Sequence, residues 1–309
     1  METYFELSWS ILSSIGLFVA LVSVWALVIS RPSPLTYIPI VVSVSCAIAN
    51  GCCYYGFYTD HAIPNRAAAS AFADFFWLIQ EAGLSFFSYQ ILVHTLRDIS
   101  RIIFLAVFWF FIIAISSIRM TILVYRILDI ASGPNDIHSL QEEGPYQHQI
   151  GYLHVGFFTS IALVETWSSF FLIRLLHNAY RVSPKISSTK YVFRFILRTT
   201  EIRVASLCFI GITRAVTYSS QVTSQSATTV AGQLDRFAYT MECLFPLVML
   251  IDTLASKKMN QDTQLESFST FDPDTSSPVR YRNIQTWTEP LPPIPRHQQW
   301  LSNLRGYAP

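Results

Sequence analysis

Three glutamates, Glu81, Glu165 and Glu242, stand inside long apolar runs of this 309-residue chain. An ionisable group in hydrocarbon costs about 2.5 to 3.5 kcal/mol even on a lenient insertion scale, so each needs a partner or a wet cavity. Counted from the same end of their runs, Glu81 lies about thirteen residues in, Glu165 about fifteen and Glu242 about eight. At about 1.5 Å per residue these depths are roughly 12 to 23 Å. Carboxyl groups at mid-depth on three runs can converge on one chamber, where one of them could donate a proton as a general acid.

Arginines complement the acids. Arg119 and Arg126 are seven residues apart, and Arg203 and Arg214 eleven apart; both spacings return to nearly one helix face, so each pair can point inward. Glu201, beside Arg198 and Arg203, is expected in an ion-pair network at the cytosolic end. Asp74, Trp77, Glu81, Ser85 and Ser88 form one helical stripe; His154 and Glu165 share a face with Ser168 or Ser169; Asp235, Tyr239 and Glu242 form a third. The competing role for all of these residues is interhelical glue, with Glu–Arg pairs that fix packing and do no chemistry. Aromatic side chains such as Trp77, Phe86, Phe87, Tyr89, Trp109 and Trp167 pack the core or face lipid; any that line a chamber could stabilise a carbocation.

No cofactor or metal is expected. Cys46, Cys52, Cys53, Cys208 and Cys243 all fall within apolar runs at spacings that match no zinc pattern, and they read as packing residues. His154 alone is a poor metal candidate. The chain contains no P-loop, Gly-rich dinucleotide fingerprint, HExxH or GxSxG, and no lysine in the seventh run to carry a retinal Schiff base.

The elements that must position these groups are membrane spans. About twenty apolar residues cross a bilayer core of about 30 Å. Seven runs qualify: Leu12–Ile29, Leu35–Tyr58, Ala68–Leu96, Ile102–Ile130, Ile150–Leu176, Tyr191–Tyr218 and Leu234–Leu254. They are continuously apolar instead of alternating, which favours helices over barrel strands. The first run follows Glu2 and Glu6, without a basic leader or a small-residue cleavage pattern, and is expected to be a retained span. With 51% hydrophobic and 13% charged residues, and a net charge of +1, the composition excludes a nucleic-acid partner and names membrane lipid as the solvent.

Arg31, Arg97, Arg101, Arg174, Arg181, Lys185, Lys190, Arg194, Lys257 and Lys258 collect at one set of span ends, while Asp136, Glu142 and Glu143 lie in a loop at the other. Positive charge favours the cytoplasm, so the N-terminus is expected outside or lumenal and the C-terminus cytosolic. The expected fold is all-α: a seven-helix transmembrane domain over residues 1–256, and a disordered, Pro-rich cytosolic tail over 257–309. The tail's PLPPIPR run, Pro290 to Arg296, could serve as a polyproline ligand, although a solvated tail without a dedicated partner is the stronger reading. No Asn-x-Ser/Thr acceptor and no internal repeat of transporter type occurs.

The runs WLIQEAGLSFFSYQIL (Trp77–Leu92), TTEIRVASLCFIGITRAVTYSSQ (Thr199–Gln221) and LDRFAYTMECLFPLVMLIDTLASK (Leu234–Lys257) resemble those of fungal seven-span integral membrane proteins, some of them encoded beside indole-diterpene and related meroterpenoid pathways. The resemblance covers roughly Trp77 to Lys257. It implies a fungal endoplasmic-reticulum or other endomembrane setting, a prenylated small-molecule substrate and other pathway enzymes as partners. Small seven-span terpene cyclases of such pathways are similar in topology and use intramembrane acids to protonate an epoxide or alkene. They place a Glu in a WEF-type motif in an early span, whereas span two here reads NGCCYYGFY, Asn50 to Tyr58, with no acid. Their catalytic positions are therefore not carried over, and an accessory role in the same pathway stays open beside the cyclase.

Two classes of function follow. One is a non-redox terpene cyclase with Glu81, Glu165 or Glu242 as general acid. The other is a heptahelical receptor or sensor of the G-protein-coupled type, suggested by topology and the basic Arg174–Arg198 region, but without a DRY-type or NPxxY-type motif.

Overall fold

The computed structural model describes residues 3–29, 33–59, 61–132, 146–182, 187–219 and 229–269. The acidic loop with Asp136, Glu142 and Glu143 and the Pro-rich stretch beyond residue 269 lie outside them. The described residues form seven α-helices: α1 Thr3–Ile29, α2 Pro34–Tyr58, α3 Ile63–Thr95, α4 Asp98–Ser132, α5 Gln147–Val182, α6 Ser187–Ser219 and α7 Val230–Ser269. The all-α expectation holds among them, and Met1–Phe268 forms one compact unit.

Helix ends follow local chemistry. Pro34 and Pro64 sit in the first turns of α2 and α3, where a missing N–H costs nothing. Only Leu96 and Arg97 separate α3 from α4. Asp98 takes a φ of 56°, a left-handed conformation that Asp tolerates better than most residues, and the chain reverses sharply there. α7 continues past residue 256, the expected start of the tail, because Lys257 to Ser269 contains neither Gly nor Pro.

Successive helices pack side by side from α1 to α6. α3 also touches α5, which places it centrally, and α7 joins through the side-chain contacts described below. Small residues permit the close approaches. A Cβ on Gly16 of α1 would lie 2.7 Å from the backbone nitrogen of Ala47 in α2, and Ser13 Oγ donates to the Ala47 carbonyl at 2.8 Å.

The polarity of the bundle is inverted relative to a protein in water. Trp25, Val28, Phe110, Ile113 and Phe209 are exposed, while Arg66, Asp74, Gln80, Glu81, Arg119 and Arg214 are buried. Apolar solvent outside and paired polar groups inside are what a bilayer imposes. Five helices are long and apolar enough to cross a membrane: the segments Ser8–Ile29, Pro34–Phe57, Asp98–Ser132, Gln147–Leu175 and Val230–Lys258. α3 and α6 fall below that standard on composition; α3 carries Arg66, Asp74 and Glu81 on its buried side.

Candidate functional site

The three polar stripes face one another. Asp74, Trp77, Glu81, Ser85 and Ser88 of α3, His154, Glu165, Ser168 and Ser169 of α5, and Asp235, Tyr239 and Glu242 of α7 are all buried, as are Arg119, Arg126, Arg203 and Arg214. Helical periodicity had placed each set on one face, and the bundle turns each face inward.

Arg214 is the centre. Its Nη1 donates to Glu81 Oε1 at 2.8 Å and to Glu242 Oε2 at 2.6 Å, and its Nε reaches Asp235 Oδ1 at 3.4 Å. The guanidinium carbon lies 3.9 Å from the Phe158 ring centre and 4.8 Å from that of Tyr239. One cation thus draws together carboxylates from α3 and α7. Such short charge-assisted bonds are about twice as strong as neutral ones.

From Glu81 the charges alternate toward α4. Arg119 Nη1 is 3.9 Å from Glu81 Oε2, its Nη2 is 3.2 Å from Asp74 Oδ1, and its Nε donates to the Asp74 carbonyl at 3.2 Å. Arg126 Nη1 completes the chain, 3.1 Å from Asp74 Oδ1. α3, α4, α6 and α7 are therefore tied by Arg126–Asp74–Arg119–Glu81–Arg214 and, beyond it, Glu242 and Asp235. Pro246 sits four residues after Glu242 and cannot donate to that residue's carbonyl, so α7 is loosened one turn from the centre.

A neutral network runs beside the charges. Trp77 Nε1 donates to the Tyr239 hydroxyl at 2.6 Å; that hydroxyl faces Asn50 Oδ1 at 3.1 Å and Gln80 Oε1 at 3.2 Å, and its single proton serves one of them at a time. Asn50 also donates to the Cys46 carbonyl at 2.7 Å. His154 Nδ1 donates to the Ile150 carbonyl at 2.8 Å, which fixes the proton on that nitrogen, and its ring stacks on Tyr218 with centres 4.9 Å apart. Asn50 and Gln80 were missed by the sequence reading, although an amide inside an apolar run is the signal that could have found them.

Arg203 finds its partner across the bundle, and the side chain of Arg198, the other expected neighbour of Glu201, lies outside the described residues. Arg203 pairs with Asp252 of α7 at 2.7 Å, not with Glu201, which is exposed, and its guanidinium covers the Phe87 ring at 4.5 Å. Glu201 sits on the outer side of α6, away from the buried face that carries Arg203 and Arg214.

Glu165 stands apart from the other two glutamates. It is 2% exposed, Ser85 lies beside it and Arg203 is within electrostatic reach, yet neither carboxyl oxygen has a donor in hydrogen-bond geometry. It still shares a chamber with them. A cavity of about 20 Å³ between α3, α5, α6 and α7 is lined by Glu81, Glu165, Glu242 and Arg214 and walled by Leu84, Ile161, Leu207 and Ile210. A second cavity, about 30 Å³, lies nearer the N-terminal end of α7 and is lined by Trp77, His154, Tyr218, Arg236 and other polar residues. Ligand pockets for small molecules run from about 300 to 1,000 Å³, whereas a water needs about 10 to 15 Å³. In this conformation both chambers are sized for water.

The aromatic faces are already engaged. Arg119 lies over Trp77 at 5.2 Å and Phe157 at 5.0 Å, Arg126 over Trp77 at 5.8 Å, and Arg236 over Trp9 at 3.8 Å. Of the aromatic rings that line the chambers, Trp9, Trp77, Phe158 and Tyr239 hold guanidinium groups, and Tyr218 stacks on His154. Among the described residues no group of three or more His, Cys, Asp or Glu could hold a metal ion. Comparison with protein-family models, with curated proteins and with solved structures finds no match to this chain.

Proposed function

We propose that the chain is a seven-span integral membrane protein of an endomembrane such as the endoplasmic reticulum, serving fungal indole-diterpene or meroterpenoid biosynthesis as a non-redox terpene cyclase with Glu165 as general acid. The observation that carries this reading is the contrast among the glutamates. Glu81 and Glu242 each accept a short hydrogen bond from Arg214, whereas a general acid must hold a proton of its own to donate. Glu165 has no such partner at ion-pair distance among the described residues and faces a chamber with Leu84, Ile161, Leu207 and Ile210 in its wall. Glu81, Glu242, Arg119 and Arg214 then hold the helices in register around it.

α3 and α6 are read as two further spans, which brings the five to seven, because Asp74 and Glu81 of α3 and Arg203 and Arg214 of α6 are buried, while Phe72 and Phe75 of α3 and Ile202, Phe209, Ile212 and Val216 of α6 are exposed. The positive residues set the N-terminus lumenal and the C-terminus cytosolic. A glycan acceptor placed in the 133–145 loop is expected to be glycosylated in microsomes, and one placed at 183–186 is not. The reverse pattern would invert the orientation.

A prenyl chain far exceeds about 20 Å³, so turnover requires α5 and α6 to part along their seam, where a Cβ on Gly211 would lie 3.2 Å from Ala162 Cβ. The test is expression with a prenyl-indole or prenyl-polyketide epoxide in a host without other cyclases. A cyclised product is expected; unchanged substrate in the presence of folded protein sinks the cyclase reading and leaves the accessory role.

A heptahelical receptor is the second reading, favoured by the water-sized interior and by a charge chain that locks α3, α4, α6 and α7 in one arrangement. Co-purification of a G-protein α subunit is its measurement.

A further inference from the structure

We propose that the two cavities are hydrated and form a proton path from the N-terminal end of the bundle to Glu165, with Glu81 as the relay. The purpose of the path rests on reading Glu165 as the acid; its existence does not.

Four observations carry it. Both chambers, at about 30 and 20 Å³, have the volume of one or two waters. They share the side chains of Glu81, Phe158 and Arg214, so one begins where the other ends. The first is walled by Tyr218 near the end of α6 and by Arg236 near the start of α7, both partly exposed, which brings it to the span ends. Buried polar atoms without hydrogen-bond partners belong to side chains along the route: Arg236 Nε at the first chamber, and Glu165 Oε1 and Oε2 at the second. Glu81, which lines both chambers, has an orphaned oxygen as well: Oε2 meets Arg119 at 3.9 Å as an ion pair without a hydrogen bond. Such atoms call for water, and each chamber can hold it.

The path moves one proton and no electrons. A hydronium in the first chamber gives its proton to Glu81 Oε2 and becomes water. Glu81 gives that proton to water in the second chamber, which passes it to the Glu165 carboxylate and is itself regenerated. While Glu81 is protonated its hold on Arg214 weakens, but Glu242 and Asp235 still hold the guanidinium, so the relay can return without the bundle coming apart. Of the cations along the route, Arg119, Arg126 and Arg214 are paired with Asp74, Glu81, Glu242 and Asp235, and Arg236 at the first chamber lies over the Trp9 ring at 3.8 Å.

The experiment is infrared spectroscopy of the full-length chain in lipid nanodiscs during exchange from H2O to D2O, following the stretch of protonated carboxyl groups. Glu165→Gln identifies the Glu165 band by its loss. In the unaltered chain that band is expected to shift to its deuterated position well before the slowest backbone amides exchange. Glu81→Gln is expected to slow the shift by about tenfold or more, the effect of an added barrier worth about one hydrogen bond. If that variant does not remain monodisperse, Glu81→Asp serves instead, since withdrawing the carboxyl by one methylene lengthens the hop and slows exchange in the same direction. Glu201→Gln, exposed on α6 and lining neither chamber, is expected to leave the rate unchanged. A Glu165 band that exchanges equally fast without the Glu81 carboxyl, or that exchanges only with global unfolding, overturns the path while the acid reading stands. The absence of any Glu165 band overturns both.

Discussion

Arg214→Leu is expected to cost the bundle about 3 to 5 kcal/mol, because removing one partner of a buried ionic cluster leaves its carboxylates uncompensated. Glu81, Glu242 and Asp235 all lose their contact at once, and they belong to two different helices. The measurement is the thermal midpoint of the detergent-purified chain followed by size exclusion. A large fall or outright aggregation is expected for Arg214→Leu. Arg214→Lys is expected to fall between it and the unaltered chain, since an ammonium keeps the charge but cannot span three carboxylates from one planar fork or lie flat on Phe158. Adding Glu81→Gln and Glu242→Gln to Arg214→Leu is expected to recover part of the loss, because neutral amides have far less need of a cation. An unchanged midpoint for Arg214→Leu would show that these contacts do not hold the helices together.

Glu165→Gln is expected to do the opposite: abolish turnover and spare the fold. The amide has the shape of the acid but cannot deliver a proton, and loss of a positioned general acid slows a reaction by about 10² to 10⁴. No ion pair is broken, so the thermal midpoint is expected to hold or rise slightly. Glu242→Gln supplies the contrast. It weakens the cluster at Arg214 and is expected to lower the midpoint by the equivalent of about 1.5 to 3 kcal/mol, the worth of a hydrogen bond to a charged group. Undiminished cyclisation by Glu165→Gln would remove it from the chemistry and return the choice to Glu81 and Glu242.

The stripe on α3 shows how far periodicity reaches. Asp74, Trp77, Glu81, Ser85 and Ser88 were expected on one face, and all five are buried. The same logic placed Arg119 with Arg126 and Arg203 with Arg214, because residues seven or eleven apart differ little in angle around a helix. It could not say which acid each arginine would meet. Arg203 is nearer in sequence to Glu201 than to Asp252, yet it pairs across the bundle, since residues two apart on a helix point in different directions. Asn50 and Gln80 escaped notice because an uncharged amide barely disturbs an apolar run, although both meet Tyr239 from separate helices.

From the sequence alone came the all-helical class, the apolar exterior demanded by lipid, and the set of charges that had to be turned inward, because hydrophobicity and helical angle are properties of each segment by itself. Tertiary structure alone decided that Glu81 and Glu242 share Arg214 while Glu165 has no cation at contact distance, that guanidinium groups lie over Trp9, Trp77, Phe158 and Tyr239, and that the interior has room for water and not for a prenyl chain. Those outcomes depend on how each helix is rotated and spaced against its neighbours. An ångström there separates a salt bridge from an orphaned acid, and no single segment encodes it.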